Sequence, residues 1–299
     1  MPALPADMRP ELAALDAALS GIAAGGTGNE RGRFALAYSG GMDSRLLAHA
    51  AKLLGFAPLL LMATGPQVPP EEEKFGEAWA RKNGFSFQKV EVDALSLPLV
   101  AKNDRRRCYE CKREIFTRLR ERLASVEKEE FPLCDGTNAS DAHAYRPGTQ
   151  AVQELGVLSP LALAGLSKAD ICRLAARTAM ERPDQKPRPC LLTRLPYGMK
   201  ADSETLRALA AGENAVRLAL EEGGLPEADF RIRLVPCGAS LRTELHLLGH
   251  EAACLPPELM ARLPHIIAET APSLPEPFLI APQDSLSGFF DKLQTTDRA

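Results

Sequence analysis

No apolar run in this 299-residue chain reaches membrane-spanning length, so no membrane partner is expected. The opening residues carry Asp7, Glu11 and Asp16 and lack the charge pattern of a secretory signal. Excess charge of one sign is missing too. Thirty-six Lys and Arg stand against 39 Asp and Glu, a net charge of −3, which speaks against nucleic acid as a partner beyond a local basic patch. Internal repeats and low-complexity tracts are absent. Seven cysteines, an odd and scattered set, do not make a disulfide framework. They fit a reducing compartment, and the cytoplasm is the expected location. What is present is a globular composition, 45% hydrophobic and 25% charged, long enough for two modest domains.

The chain is organised around Phe34 to Leu47. Phe34 to Ala37 reads as a buried strand, and Leu46, Leu47, Ala48 and Ala50 as the apolar side of a helix. Between them runs Ser39-Gly40-Gly41-Met42-Asp43-Ser44. Two glycines let backbone approach a ligand closely, and the new helix offers N–H groups to an anion. Ser39 and Ser44 add hydroxyl donors, while Asp43 suits a Mg²⁺ ion better than a phosphate. The plain alternative is a capped turn. Residues 9 to 23 predict a leading helix, Ala57 to Met62 and Phe85 to Val92 further strands, and Pro70 to Asn83 a helix closed by Gly84. This β-α-β-α-β order predicts an α/β fold with a doubly wound parallel sheet, its ligand site beyond the carboxyl ends of the strands. A fourth strand at Phe131 to Cys134 leads into Asp135-Gly136-Thr137-Asn138-Ala139-Ser140-Asp141, which should face the same crevice.

Ser203 to Glu222 reads as a helix. Phe230 to Val235 and Leu241 to Leu248 read as antiparallel strands, with Arg231, Arg233, Arg242, Glu244 and His246 on their polar faces. A helix over Pro256 to Ala271 and a last strand at Phe278 to Ala281 follow. The expected division is a first domain of residues 1–202 and a smaller C-terminal α+β domain of 203–299.

Cys190 lies in a proline-rich loop with Lys186, Arg188 and Arg194 near it in sequence. Neighbouring cations favour the nucleophilic thiolate. Cys134, Cys172, Cys237 and Cys254 are expected to pack. Cys108 and Cys111 form a CxxC at a helix start. Without a second pair at similar spacing a closed Cys₄ zinc site is not expected, leaving packing beside a binding role for Arg107, Tyr109 and Lys112, a redox pair, or two ligands of an iron–sulfur cluster completed by Cys190. Arg231 and Arg233, two apart, share one face of a strand and suit an anionic substrate; the alternative is a solvated surface.

The SGGxDS loop resembles that of the PP-loop ATP pyrophosphatases. RCYECK, DGTN with Asp141 and a following RPG, SPLALAGLSKADI and KPRPCLLTRLPYG, in this order, narrow the resemblance to the LarE family of ATP-dependent sulfur transferases. The resemblance implies ATP and Mg²⁺, with Ser39, Gly40, Gly41, Asp43, Ser44, Thr137, Asn138, Asp141 and Lys186 at the nucleotide. It implies Arg107, Arg146, Arg194, Arg231 and Arg233 at a pyridinium dicarboxylate mononucleotide, and Cys190, Glu213 and Glu244 in the chemistry, with the roles of the two glutamates open. The substrate carboxylate would be adenylated and Cys190 would donate sulfur. A homo-oligomer is implied as well. Two alternatives are an iron–sulfur enzyme using Cys108, Cys111 and Cys190 on tRNA or another acceptor, and an adenylating or amidating enzyme without sulfur transfer. The chain departs from the family pattern at Met42, Arg45, Ser140, the CLLTR run and LVPCGASLR.

Overall fold

The computed structural model describes residues 9–23, 31–126, 131–143 and 147–296. In chain order they form α1 (Arg9–Ile22), β1 (Ala35–Ala37), α2 (Met42–Leu53), β2 (Leu59–Thr64), α3 (Pro70–Lys82), β3 (Ser86–Glu91), α4 (Pro98–Ala101), α5 (Arg107–Val126), β4 (Leu133–Cys134), α6 (Pro147–Glu154), α7 (Pro160–Leu163) and α8 (Lys168–Arg177). There follow α9 (Ser203–Glu222), β5 (Phe230–Cys237), β6 (Ser240–Leu248), α10 (Gly249–Ala253), α11 (Pro257–Thr270), β7 (Phe278–Gln283) and α12 (Phe289–Thr296). None of these helices is long and apolar enough to cross a membrane.

The chain divides into two units. The first holds the described residues up to Gly65, Glu71–Ala94 and Arg106–Arg188. Its sheet has the order β3-β2-β1-β4, with every pairing parallel, as in Leu36↔Leu60 and Leu36↔Cys134. Period-2 alternation turns Leu36, Tyr38, Leu60 and Met62 to one face, against Leu46 and Leu47 of α2, Trp79 of α3 and Ile171 of α8. Ala35, Leu59 and Leu61 turn to the other, against Phe116, Leu119 and Leu123 of α5. Each fully buried leucine here is worth roughly 1.5–3 kcal/mol of transfer free energy. Because both faces are covered at β1 and β2, those strands read as continuous apolar runs, while the edge strand β3 mixes half-buried and exposed positions, and the doubly wound parallel fold expected from the element order is found. Helix ends follow local chemistry. Glu71, Glu72 and Glu73 fill the first turn of α3 and Arg81 and Lys82 its last, complementing the helix dipole. Ser167 and Asp170 close a reciprocal capping box on α8.

The second unit holds Pro66–Pro70, Leu95–Arg105 and Pro189–Ala299. In its three-stranded sheet β5 pairs antiparallel with β6, as Arg231↔His246 and Arg233↔Glu244, and β7 adds parallel to β6. Gly212 of α9 lets the helix sit close on β5, since a Cβ there would lie 3.0 Å from Ile232 Cδ1. The loop before α9 is held by the early segments. Ala201 N donates to Ala101 O at 2.7 Å, Asn103 Nδ2 to Leu195 O at 3.0 Å and Pro196 O at 2.9 Å, and Leu191 N to Gln67 O at 2.9 Å. The observed division thus differs from the expected one at 202. It falls after Arg188, puts Cys190 in the second unit, and adds two short segments to that unit.

Candidate functional site

The strand order runs outward from β1 to β2 and β3 and then reverses to β4 on the other side of β1, so the switch point lies at the carboxyl ends of β1 and β4, and Ser39 to Ser44 follow β1 there. Gly41 caps α2 without a side-chain acceptor, leaving the first-turn N–H groups of the helix to a ligand. Ser39 Oγ and Ser44 Oγ lie 3.2 Å apart, Gly41 N donates to Ser39 Oγ at 3.3 Å, and the Ser44 hydroxyl donates to Gly41 O at 3.1 Å. Gly40 takes φ +75°, and a Cβ on it would lie 3.0 Å from Gly76 Cα of α3. Only glycine at both positions allows the loop to rest on that helix.

The second turn meets the first through bare backbone. A Cβ on Gly136 would stand 3.0 Å from Ser44 N. Asp135 organises this turn, accepting from Thr137 N at 3.1 Å, Thr137 Oγ1 at 2.6 Å and Ser159 Oγ at 2.7 Å. Asp141 accepts from Asn138 N at 3.1 Å, while Asn138 Nδ2 reaches across to Asp43 Oδ2 at 3.2 Å. Thr137 and Asp141 therefore bond within the turn, and Asn138 links the two loops. Ser140 has a local reason: its hydroxyl accepts from Lys168 N at 3.0 Å and joins the turn to α8. Lys168 Nζ pairs with the other oxygen of Asp43, placing a cation beside the loop that sequence reasoning read only as part of a helix start. Its signal was the SKAD run after the capping serine. Lys186 is exposed. Arg107 is buried at the start of α5, with Cys108 and Cys111 half-buried beside it. Arg146 lies outside the described residues.

Arg45 is fully buried and accounts for its own departure from the family pattern. Its guanidinium donates to Gly40 O, Glu181 O, Arg182 O and Gln185 Oε1, over the rings of Phe75 and Trp79. Gln185 Nε2 passes the network to Glu72 Oε2 at 2.9 Å, and Arg188 lies 3.4 Å from Glu72. Burial pushes the Glu72 carboxyl up, opposed chiefly by Arg188. One side chain thus ties the loop to the segment that leads toward Cys190.

In the second unit Cys190 is half-buried and begins a single helical turn, Leu191–Arg194. Thr193 N and Oγ1 both donate to its carbonyl, at 3.1 and 2.8 Å. The Arg194 guanidinium, 1% exposed, grips Glu213 with both arms at 2.7 and 3.0 Å and donates to Pro189 O at 3.2 Å. Glu213 also accepts from Ile232 N at 3.0 Å. Burial alone would raise its carboxyl, but Arg194 first, then Arg231 and the Ile232 N–H, hold it below the ordinary value. Arg194 and Glu213 therefore clamp the cysteine turn to α9 and β5.

Arg231, Arg233, Glu244 and His246 are all at least nine-tenths buried, not the polar surface that strand alternation predicts. Arg233 Nη1 donates to His246 Nδ1 at 2.7 Å, which leaves His246 Nε2–H to donate to Glu244 at 2.7 Å. Arg242 Nε donates to the other oxygen of Glu244 at 2.6 Å. Arg231 pairs with Asp229. Burial, then the charges of Arg194 and Arg231, hold Arg233 down to about 10. Arg233 thus lies among the charges of Arg194 and Arg231, with Glu213 and Asp229 opposing them. Packing differs among the cysteines: Cys134 is buried, its thiol pushed up to about 12, whereas Cys172, Cys237 and Cys254 are exposed. Among the described residues no three His, Cys, Asp or Glu side chains gather as a metal site.

No protein-family profile matches the chain. Over 189 residues, 63% of the chain, it is 34% identical to the uncharacterized protein slr1717 of Synechocystis and covers 70% of it. The chain belongs to the slr1717 family. It is also 28% identical over 185 residues to the uncharacterized protein MJ0830 of Methanocaldococcus jannaschii, covering 61% of the chain and 68% of that protein. A distant relative of this slr1717-family chain has an enzyme's name. The pyridinium-3,5-bisthiocarboxylic acid mononucleotide synthase of Lactiplantibacillus plantarum is 28% identical over 188 residues, 62% of the chain and 67% of the synthase.

Proposed function

We infer that the protein is an ATP-dependent sulfur transferase that converts a carboxylate of a pyridinium dicarboxylate mononucleotide into a thiocarboxylate. The observation that carries this reading is the likeness to the named synthase. The Ser39–Ser44 loop and the Cys190 turn supply its two halves. The N–H groups of the loop, the two serine hydroxyls and Lys168 hold the phosphates of ATP. Asp43, one carboxylate with phosphate oxygens to complete the shell, suits Mg²⁺, which would neutralise charge on the leaving pyrophosphate. The substrate carboxylate attacks the α-phosphorus, giving an acyl adenylate and pyrophosphate. The Cys190 thiolate then attacks the acyl carbon and expels AMP, forming a thioester. A base removes the Cys190 Hα. The Cβ–S bond breaks, its electron pair stays on sulfur, and dehydroalanine remains in the chain.

The test is intact mass before and after incubation with ATP, Mg²⁺ and pyridinium-3,5-dicarboxylate mononucleotide. Loss of the elements of one H₂S at Cys190, with AMP and pyrophosphate released, is expected. An unchanged Cys190 after AMP release would refute sacrificial transfer, and normal thiocarboxylate formation by Cys190→Ala would refute any role for this sulfur.

A further inference from the structure

Gln67 is 2% exposed, and among the described residues neither its side-chain Oε1 nor its Nε2 has a hydrogen-bond partner. Its main-chain carbonyl is used: Gln67 O accepts from Leu191 N, the peptide nitrogen that follows Cys190, at 2.9 Å. Other buried polar side chains of the same unit are at least half satisfied: Thr243 Oγ1 donates to Pro275 O at 2.7 Å, and Asn103, whose Oδ1 is also unpartnered among the described residues, places its NH₂ on two carbonyls. A buried amide with neither end satisfied costs about 1–3 kcal/mol for each group left unmade. Leucine or methionine would fill the same volume without that cost, so folding alone gives no reason for a glutamine here.

We propose that Gln67 is a binding residue of the Cys190 site, its Nε2–H donating to a carboxyl oxygen of the acceptor. An amide already stripped of water in the ligand-free protein gains a ligand hydrogen bond without a new desolvation cost on the protein side. A site with such a group also discriminates against acceptors that lack the matching oxygen, because they leave the amide unpaired. The backbone bond to the Cys190–Leu191 peptide fixes the position of Gln67 relative to the nucleophile. The proposal rests on the sulfur-transfer reading for the identity of the acceptor, but binding is measured apart from turnover.

The experiment compares wild type with Gln67→Leu and Gln67→Glu in the full-length protein. Thermal unfolding without ligand comes first. Gln67→Leu should melt at or above wild type, because an unpaired amide is removed; melting several degrees lower would mean that the amide has a structural partner and would overturn the proposal. Next, iodoacetamide alkylation of Cys190 is followed with and without pyridinium-3,5-dicarboxylate mononucleotide. Wild type should be protected, and Gln67→Leu should need at least tenfold more nucleotide for the same protection, with Gln67→Glu weaker still through carboxylate repulsion. Equal protection of wild type and Gln67→Leu, or no protection of wild type, would overturn the proposal. Protection that depends on Gln67 while no sulfur leaves Cys190 would leave this binding role standing and defeat the sulfur-transfer reading.

Discussion

Replacing Arg45 with methionine removes the side chain that ties the Ser39–Ser44 loop to the 181–185 segment. Two of its four acceptors, Gly40 O and the buried Gln185 Oε1, lose the guanidinium that donates to them, and each then costs about 1–3 kcal/mol. The other two, Glu181 O and Arg182 O, belong to residues that reach solvent and rehydrate. Removing a buried guanidinium recovers part of its desolvation penalty, so the net loss is about 3 kcal/mol. For a unit of 150–250 residues that corresponds to about 6–12 °C in Tm. The assay is urea unfolding followed by fluorescence of Trp79, the sole tryptophan, which is 2% exposed and whose ring lies 5.7 Å from the Arg45 guanidinium carbon. Arg45→Lys should recover little, because an ammonium cannot span four acceptors fixed for a planar fork. An Arg45→Met midpoint within about 0.5 kcal/mol of wild type would refute the argument, since that is the range of an ordinary surface change.

Glu213→Gln breaks the bidentate grip on Arg194 and leaves a buried guanidinium short of its counter-charge, a loss of about 3–5 kcal/mol by denaturant titration; Cys190 alkylation should quicken, and an unchanged rate would mean that the clamp does not set the turn. His246 is neutral in the fold, because burial first, and then Arg233, push its imidazole down to about 4, against about 6.5 in the unfolded chain. Its stability contribution is therefore full above pH about 6.5 and falls as pH drops toward 4, by at most about 3 kcal/mol. His246→Gln should flatten that part of the stability–pH curve, and an unaltered slope would assign the pH dependence to other groups. Gly76→Ala drives a methyl to 2.5 Å from Met62 Cε and 3.0 Å from Gly40 Cα, so the loop must shift; ATP binding measured by calorimetry should weaken about tenfold or more, and wild-type affinity would show that the seat on α3 is not needed.

The parallel sheet and its loop were legible because local signals agreed. Apolar runs marked strands buried on both faces, and Ser39-Gly40-Gly41 broke the chain at the carboxyl end of the first. The helix Ser203–Glu222 matched its expected bounds because Asp202 accepts from Thr205 N at 2.8 Å and stops it locally. The charged strand residues were not legible in the same way. Alternation put Arg233 and His246 on a polar face, but the acceptors that bury Arg233 lie thirteen or more residues away, His246 Nδ1 on the next strand and Leu286 O on a later loop. No periodicity reports such partners. Lys168 was hidden because a lysine at a helix start is common, and only the fold brings it to Asp43. Gln67 was hidden for the opposite reason, since among the described residues its side chain has no partner to betray it.

The interleaving of the two units has a consequence for how this chain can be made and cut. Residues 66–70 and 95–105 are translated before most of the unit to which they belong, inside crossovers of the parallel sheet. Ala101, Asn103 and Gln67 must wait for Ala201, Leu195 and Leu191 to emerge before their hydrogen bonds can close. Cleavage after residue 188 would not release two independent proteins. The first fragment would carry strands of chain whose carbonyls have lost their donors, and the second would lack the struts under its cysteine turn. Mixing the two fragments, by contrast, would allow those bonds to form again between separate chains, so the halves are better regarded as complementary pieces than as modules.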